Sequence, residues 1–425
     1  MQPGSDNSSS AARAEEQLGV YISVPFCKAK CSYCNFASGV FAAERMQAYV
    51  DRVCGEIAGA RLRAAGMGAG LPSNVDSVYL GGGTPSLLAP EQLRQMFVRL
   101  RETFSVAEGA EITIECAPGQ ISDAVLREFA ALGVNRLSFG VQSFVDQESR
   151  AVGRLHTGEQ CLAEIARVRA AGIAEVNVDL IAGLPHQTEE SFRVSLEKAV
   201  GSGVPHVSVY MLEVDEDSRL GSELLAGGVR YHAHHVPDDG RTADLYLAAC
   251  EFLEGAGVAQ YEISNFARSG DASGRGPGHA SRHNLKYWRR QPYLGLGLDA
   301  HSMLRAESGL RADSGGNCAA RFANTDDLDA YMAAAMQPEP QEVSAQEALE
   351  EALFLGLRLN AGVDPEALRA EFGEAVGGYR EAIAELAAEG MLLAEANNVK
   401  LTARGRLVSN DVFGRLLETV PHSSR

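Results

Sequence analysis

Cys27, Cys31 and Cys34 lie in the stretch CKAKCSYCNF (27–36), spaced by three residues and then by two. Three thiolates this close together can hold three corners of a cubane 4Fe–4S cluster and leave its fourth iron open. An open iron can chelate a small molecule through an amine and a carboxylate. A structural zinc ion asks for four ligands in a closed shell, and the nearest histidine in sequence is His156. Zinc is therefore the weaker of the two readings. The other five cysteines (Cys54, Cys116, Cys161, Cys250 and Cys318) are scattered and read as small core residues.

Further polar groups and glycines recur where short β-like runs end. GGGTP (81–85) follows VDSVYL, and its glycines allow backbone to approach a ligand closely. Glu115 closes EITIE, Gln142 follows RLSFG, and Asp179 stands in NVDLIAGLP. Each alone reads as a solvated strand end or a plain turn. Five consecutive strands delivering such groups to one rim is hard to obtain by chance, and in parallel α/β barrels that rim carries the active site.

The elements that must position these residues alternate regularly. Strand-like runs at 20–25, 75–80, 111–115, 135–140, 175–181 and 206–212 are separated by stretches with helical periodicity. Pro90 and Ser122-Asp123 are helix starts, and Gly133 and Gly172 are helix stops. This rhythm predicts an α/β fold, a parallel sheet with right-handed crossovers. Six units favour a partial β/α barrel over a doubly wound sheet. Residues 1–18 read as a flexible tail, 19–240 as the core barrel and 241–335 as a barrel extension. Residues 336–425 read as a C-terminal helical, winged-helix-like module, with helices at 345–358, 364–372 and 378–389 and a hairpin turning at Asn397-Asn398. Stretches 226–241, 268–282 and 336–343 read as loops or linkers.

Composition bounds the function. The chain has 425 residues, 45% of them hydrophobic, as expected of a globular protein with a sizeable core. Its net charge of −18 argues against a grip on nucleic acid, which needs basic patches. No apolar run is long enough to span a membrane, and residues 1–17 lack the apolar core of a secretory signal. A cytoplasmic, thiol-reducing setting is expected.

Together, VYISVPFCKAKCSYCNF, YLGGGTPSLL, ITIECAPG, RLSFGVQS, RLH and NVDLIAGLP resemble the coproporphyrinogen dehydrogenase branch of the radical S-adenosylmethionine superfamily, and within it most resemble the heme chaperone subgroup. The resemblance runs from about Val20 into the C-terminal region. It implies that Cys27, Cys31 and Cys34 ligate a 4Fe–4S cluster. It implies that S-adenosyl-L-methionine lies among Tyr21, Tyr33, Gly82, Gly83, Thr84, Glu115, Gln142, Arg154 and Asp179. Tyr33 would lie beside the adenine, while Gly82, Gly83 and Thr84 would hold the amino group. Glu115 would anchor the cosubstrate. Arg154 suits a carboxylate through its planar fork, and Asp179 suits the ribose hydroxyls. The implied chemistry is reductive cleavage of the sulfonium to methionine and a 5′-deoxyadenosyl radical. No catalytic side chain is singled out, and whether the chain is an enzyme is left open.

Three features separate a carrier from an oxidase. The oxidase pattern is CxxxCxxCxC, and Phe36 stands where its last cysteine would be. The oxidase also has a longer segment before its cluster motif. HNLKYW (283–288) fits the HNxxYW pattern of the heme chaperones. Here His283 would offer a nitrogen to heme iron, Asn284 would complete the motif, and Tyr287 and Trp288 would offer flat faces to a porphyrin. Without the resemblance, an irregular segment with a surface histidine is the simpler reading. With it, the expected function is to bind heme and pass it to an acceptor, a respiratory heme protein at a membrane included. Oxygen-independent coproporphyrinogen III oxidation is the alternative. His232, His234 and His235 read as a solvated loop. GLGLDA (295–300) is discounted as a dinucleotide loop, because no helix or suitably placed acidic residue follows it.

Overall fold

The computed structural model describes residues 16–270, 278–306, 318–333, 338–395 and 397–419. Six parallel strands lie side by side in sequence order: β1 (Leu18–Val24), β2 (Asn74–Gly82), β3 (Ser105–Cys116), β4 (Arg136–Gln142), β5 (Glu175–Ala182) and β6 (His206–Met211). Each crossover contains at least one helix, such as Glu44–Gly66 between β1 and β2 and Pro90–Thr103 between β2 and β3. A doubly wound sheet reverses its strand order at a switch point. This order never reverses, so right-handed crossovers put every helix on one face and the sheet curls around the other.

The strands alternate with period two, and the alternation makes two environments. Val78, Leu80, Ile112, Ile114, Leu137, Phe139, Val176, Val178, Val207 and Val209 belong to the main apolar core. The intervening residues turn to the concave side. They are Ser77 and Tyr79; Glu111, Thr113 and Glu115; Arg136 and Ser138; Asn177 and Asp179; and His206, Ser208 and Tyr210. The barrel therefore has a polar interior.

The sheet extends beyond the expected six strands to twelve among the described residues. On one side β7 (Ala259–Gln260) and β8 (Asn265–Ala267) pair antiparallel, and β8 pairs with β6. On the other side β9 (Tyr293–Leu296) runs parallel to β1, followed by the antiparallel strands β10 (His301–Arg305), β11 (Ala319–Ala323) and β12 (Gln341–Val343). These added strands are only two to five residues long. That is too short for a periodicity reading, and it explains why they went unseen.

Several expected boundaries move. Residues 1–15 of the expected tail lie outside the described residues, and Leu18 is already the buried first residue of β1. The 240/241 boundary falls inside the helix Asp239–Gly255, capped by Asp238, so the loop expected over 226–241 ends early. The linker 336–343 ends in β12. HNLKYW is not irregular, because it forms the helix Arg282–Trp288, with the Ser281 hydroxyl accepting from the Asn284 N–H. GLGLDA is strand and turn: a Cβ on Gly295 would meet the His301 carbonyl oxygen at 2.1 Å, so its glycines serve packing.

The C-terminal region packs the helices Ala345–Leu357, Pro365–Phe372, Arg380–Ala388, Ala403–Leu407 and Ser409–Glu418 around the hairpin β13 (Leu392–Glu395) and β14 (Asn398–Leu401). Asn398 is itself paired with Glu395, so the turn precedes it instead of including it. This second core takes in Met303, Ala319 and Val343 from the sheet. Among the described residues no helix is long and apolar enough to cross a membrane.

Candidate functional site

The three cysteines sit in the loop after β1, at the carboxyl end of the barrel strands. The Cys27 N–H donates to the Gly39 carbonyl at 2.9 Å, and the Ser32 N–H to the Val152 carbonyl at 3.1 Å, so both ends of the loop are tied down. Cys31 is buried, while Cys27 and Cys34 are half-buried. All eight cysteines are free. Burial pushes the Cys27 thiol up, and proximity to Cys34 and Cys31 adds to this, against the Thr84 and Ser38 hydroxyls, which lower it. The Arg154 guanidinium donates through Nη1 to Cys31 Sγ at 3.3 Å. Three thiols suit a cubane cluster with one open iron, where a structural zinc would ask for a fourth ligand. His156 does not join them: it is buried, its Nε2 lies 3.2 Å from the Val141 carbonyl, and burial lowers its pKa to about 4.

The GGGTP loop is shaped by its surroundings. Gly82 has φ 98°, and a Cβ on Gly83 would lie 2.8 Å from the Phe26 and Val24 carbonyl oxygens and from the Pro25 carbonyl carbon. Its amides are already spent. Gly82 N–H donates to Glu115 Oε2 (3.1 Å), Gly83 N–H to Val24 O (2.9 Å) and Thr84 N–H to Phe26 O (2.8 Å). What the loop can still offer a ligand is carbonyl and hydroxyl oxygen, the complement of an ammonium group. Tyr21 stacks on Tyr79 at 6.0 Å between centroids.

Glu115 accepts from the Tyr79 hydroxyl at 2.8 Å. Burial, opposed by that bond and reinforced by the Asp179 charge, raises its pKa to about 7. In Asp179, Oδ2 accepts from Ser138 at 3.1 Å and Oδ1 from Asn177 at 2.7 Å. Burial raises its pKa, against hydrogen bonds from Ser208, Asn177 and Ser138. Gln142 ends β4 at a register irregularity with φ 69°, and its Oε1 is buried without a partner. Arg154 also donates through Nη2 to the Gly140 carbonyl, while its Nε is buried and unpartnered. Unsatisfied buried polar atoms are rare in folded proteins. Two of them here, with a left-handed glutamine, mark a place built for a polar guest. Tyr33 is half-buried against Val152, Ile181 and Leu184. The structure thus brings Tyr21, Tyr33, Gly82, Gly83, Thr84, Glu115, Gln142, Arg154 and Asp179 to the rim that carries the cysteines. Sequence reading missed Tyr79, Ser138 and Asn177, which the period-two alternation of β2, β4 and β5 would have pointed into the same interior.

The raised carboxyl predicts a pH effect. Between about pH 4.5 and 7 the native Glu115 holds a proton that the unfolded chain has released, so the ligand-free protein loses stability as pH rises through that window. Glu115→Gln is expected to raise the melting temperature at pH 8 and to leave it nearly unchanged at pH 4.5. Equal shifts at both values would contradict the burial of this carboxyl.

HNLKYW lies elsewhere, inside the barrel at its opposite, amino end. Glu111 accepts from the backbone N–H of Arg282 (3.0 Å) and of His283 (2.9 Å). Arg136 lies 3.5 Å from Glu111 and donates to the His279 carbonyl. Lys286 pairs with Asp76 at 2.7 Å. His283 is 1% exposed, with Nδ1 2.9 Å from the Ser77 hydroxyl and Nε2 2.8 Å from the Tyr287 hydroxyl. Burial lowers its pKa to about 3. The expected surface histidine with a nitrogen free for iron is therefore not what this conformation holds, since both nitrogens are used inside the fold. Asn284, Tyr287 and Trp288 are half-buried. The Arg358 guanidinium lies over the Trp288 ring at 4.3 Å, and the indole N–H is buried without a partner.

A model of the Radical SAM superfamily matches residues 21–199, and one of the HemN C-terminal domain matches residues 343–408. Heme chaperone HemW of Bacillus subtilis is 30% identical over 404 residues, covering 93% of this chain and 98% of its own. The HemW of Synechocystis is 35% identical over 349 residues, or 81% and 78% of the two chains. The mouse mitochondrial radical S-adenosyl methionine domain-containing protein 1 is 30% identical, covering 98% of this chain and 90% of its own. Among solved structures, coproporphyrinogen III oxidase (HemN) from Escherichia coli superimposes with a TM-score of 0.76 at 24% identity, over 95% of this chain and 90% of that one. At that identity the match speaks for the fold.

Proposed function

Because the chain belongs to the HemN/HemW branch of the radical S-adenosylmethionine superfamily, we propose that it is a cytoplasmic heme chaperone, which binds heme and hands it to a heme-accepting protein. The cytoplasm suits its eight free thiols. Cys27, Cys31 and Cys34 would hold the 4Fe–4S cluster, with the Arg154 guanidinium donating to Cys31 Sγ. Thr84, the loop carbonyls and Glu115 would hold the ammonium group of the cosubstrate, and Arg154 and Gln142, each with a buried unpartnered polar atom, would hold its remaining polar groups. Asp179 would accept from the ribose hydroxyls. Tyr33, packed on Val152, Ile181 and Leu184, shields the adenine side from water. When bound, the cluster and the nucleoside supply one-electron chemistry.

Phe36 carries the choice of chaperone over oxidase. It is 63% exposed, two residues after Cys34, where the oxidase pattern has a thiol. Anaerobic incubation of reconstituted protein with coproporphyrinogen III and S-adenosylmethionine is expected to yield no protoporphyrinogen, while the same sample binds heme stoichiometrically. Protoporphyrinogen formation would overturn the proposal in favour of the oxidase.

In this reading the porphyrin contacts are Asn284, Tyr287 and Trp288, and His283 positions them through Tyr287. His283→Ala is expected to weaken heme binding less than about tenfold, because both imidazole nitrogens are already engaged within the fold, and to cost about 1–3 kcal/mol of stability from the orphaned Ser77 and Tyr287 hydroxyls. Abolished heme binding at unchanged melting temperature would instead return His283 to the iron.

A further inference from the structure

Outside the cluster rim, a second group of metal-capable side chains comes together from two segments. The turn after β5 carries His186. The loop before the helix Asp239–Gly255 carries His232 and His235, which face the same way across the 3-10 turn Ala233–His235. One ligand atom from each of the three lies within 4.8 Å of the others. His186 Nε2 is 3.3 Å from His232 Nδ1, and the His186 and His235 rings are 3.9 Å apart between centroids.

The backbone holds this arrangement before any ion arrives. His186 N–H donates to the His235 carbonyl at 3.1 Å, and His235 N–H to the His232 carbonyl at 2.9 Å. The Glu223 carboxylate accepts the Tyr231 N–H at 2.8 Å and the Ala233 N–H at 3.2 Å, fixing the loop on both sides of His232. The Gln187 side chain accepts the Gly183 N–H at 2.6 Å and donates to the Ile181 carbonyl at 3.0 Å, fixing the turn that carries His186. His186 (φ 68°) and His232 (φ 61°) both occupy the left-handed region, where non-glycine residues are uncommon.

We infer that His186, His232 and His235 bind a divalent ion of the zinc type. Imidazole nitrogen suits zinc, nickel and copper, and neutral histidines suit zinc best where no redox partner is needed. His186 and His232 are half-buried and His235 is exposed, which leaves a solvent-facing fourth position for water. The ion would clamp the turn to the loop. Leu184, two residues before His186, packs with Ile181 and Val152 in the cluster against which Tyr33 rests, so the clamp braces the wall behind the adenine side. The site is independent of the heme reading, and either can fail without the other.

The test uses full-length, tag-free protein with its cluster reconstituted, titrated with Zn²⁺ and examined by zinc X-ray absorption. One zinc per chain is expected, with nitrogen neighbours at about 2.0 Å and none of the sulfur neighbours at about 2.3 Å that the cysteines would give. His235→Ala, in the exposed turn, is expected to weaken zinc binding at least about 100-fold with iron and sulfide content unchanged. His232→Asn, which tolerates the left-handed backbone, should do the same. Zinc should also slow proteolysis within residues 227–238 of the wild type but not of either variant. Equal zinc uptake by His235→Ala, or a sulfur shell around the bound zinc, would overturn the assignment.

Discussion

Cys31→Ser is expected to leave the chain unable to keep a reconstituted cluster, with iron and sulfide per chain at least about tenfold below wild type and the brown absorption gone. Cys31 is the most enclosed of the three thiols and the one that receives the Arg154 guanidinium at 3.3 Å. A serine hydroxyl is far harder to ionise and a poorer partner for iron than a thiolate, so the hydroxyl cannot replace it. Cys54→Ala is the control. Cys54 lies on the buried face of the helix Glu44–Gly66, in the main core, so this change should lower stability and leave iron content alone. Wild-type iron in the Cys31→Ser protein would sink the cluster assignment.

Gly83→Ala is expected to have the second large effect, losing cluster and cosubstrate binding together while costing about 1–3 kcal/mol of stability or more. The added methyl would meet three atoms at 2.8 Å, all of them backbone of Val24, Pro25 and Phe26. A flexible side chain could give way, but this backbone cannot. It runs directly into Cys27, so any relief moves a cluster ligand. Gly59→Ala supplies the contrast. It lies in the helix Glu44–Gly66 with nothing within 4 Å of the new Cβ and is expected to stabilise by about 0.5–1 kcal/mol. Melting temperatures, iron content and S-adenosylmethionine titration of the two variants check both expectations.

The six main strands were legible because each is long enough for its apolar residues to show a period and each is bounded by helix caps such as Ser122 and Gly133. The rim followed from topology alone: the carboxyl ends of neighbouring parallel strands must share one edge. What the chain did not disclose lay in long-range pairing. His283 looked like a surface histidine because its partners, Ser77 and the Glu111 that caps its helix, stand more than 150 residues earlier. His186 was passed over for the same reason, being 46 residues from His232. The strands β7 to β12 are too short to carry a pattern, and their place is set by the edges of β1 and β6 that they cover.

Glu351, in the helix Ala345–Leu357, grips Arg290 just past HNLKYW at 2.7 Å and Arg321 of β11 at 2.9 Å, while Arg358 at the end of the same helix covers Trp288. The final quarter of the chain is thus riveted to the underside of the barrel. Anyone shortening this protein to a minimal scaffold could not discard those helices as a spare appendage, for the cut would strip the seal from the floor and leave the buried Arg290 guanidinium without counter-charge.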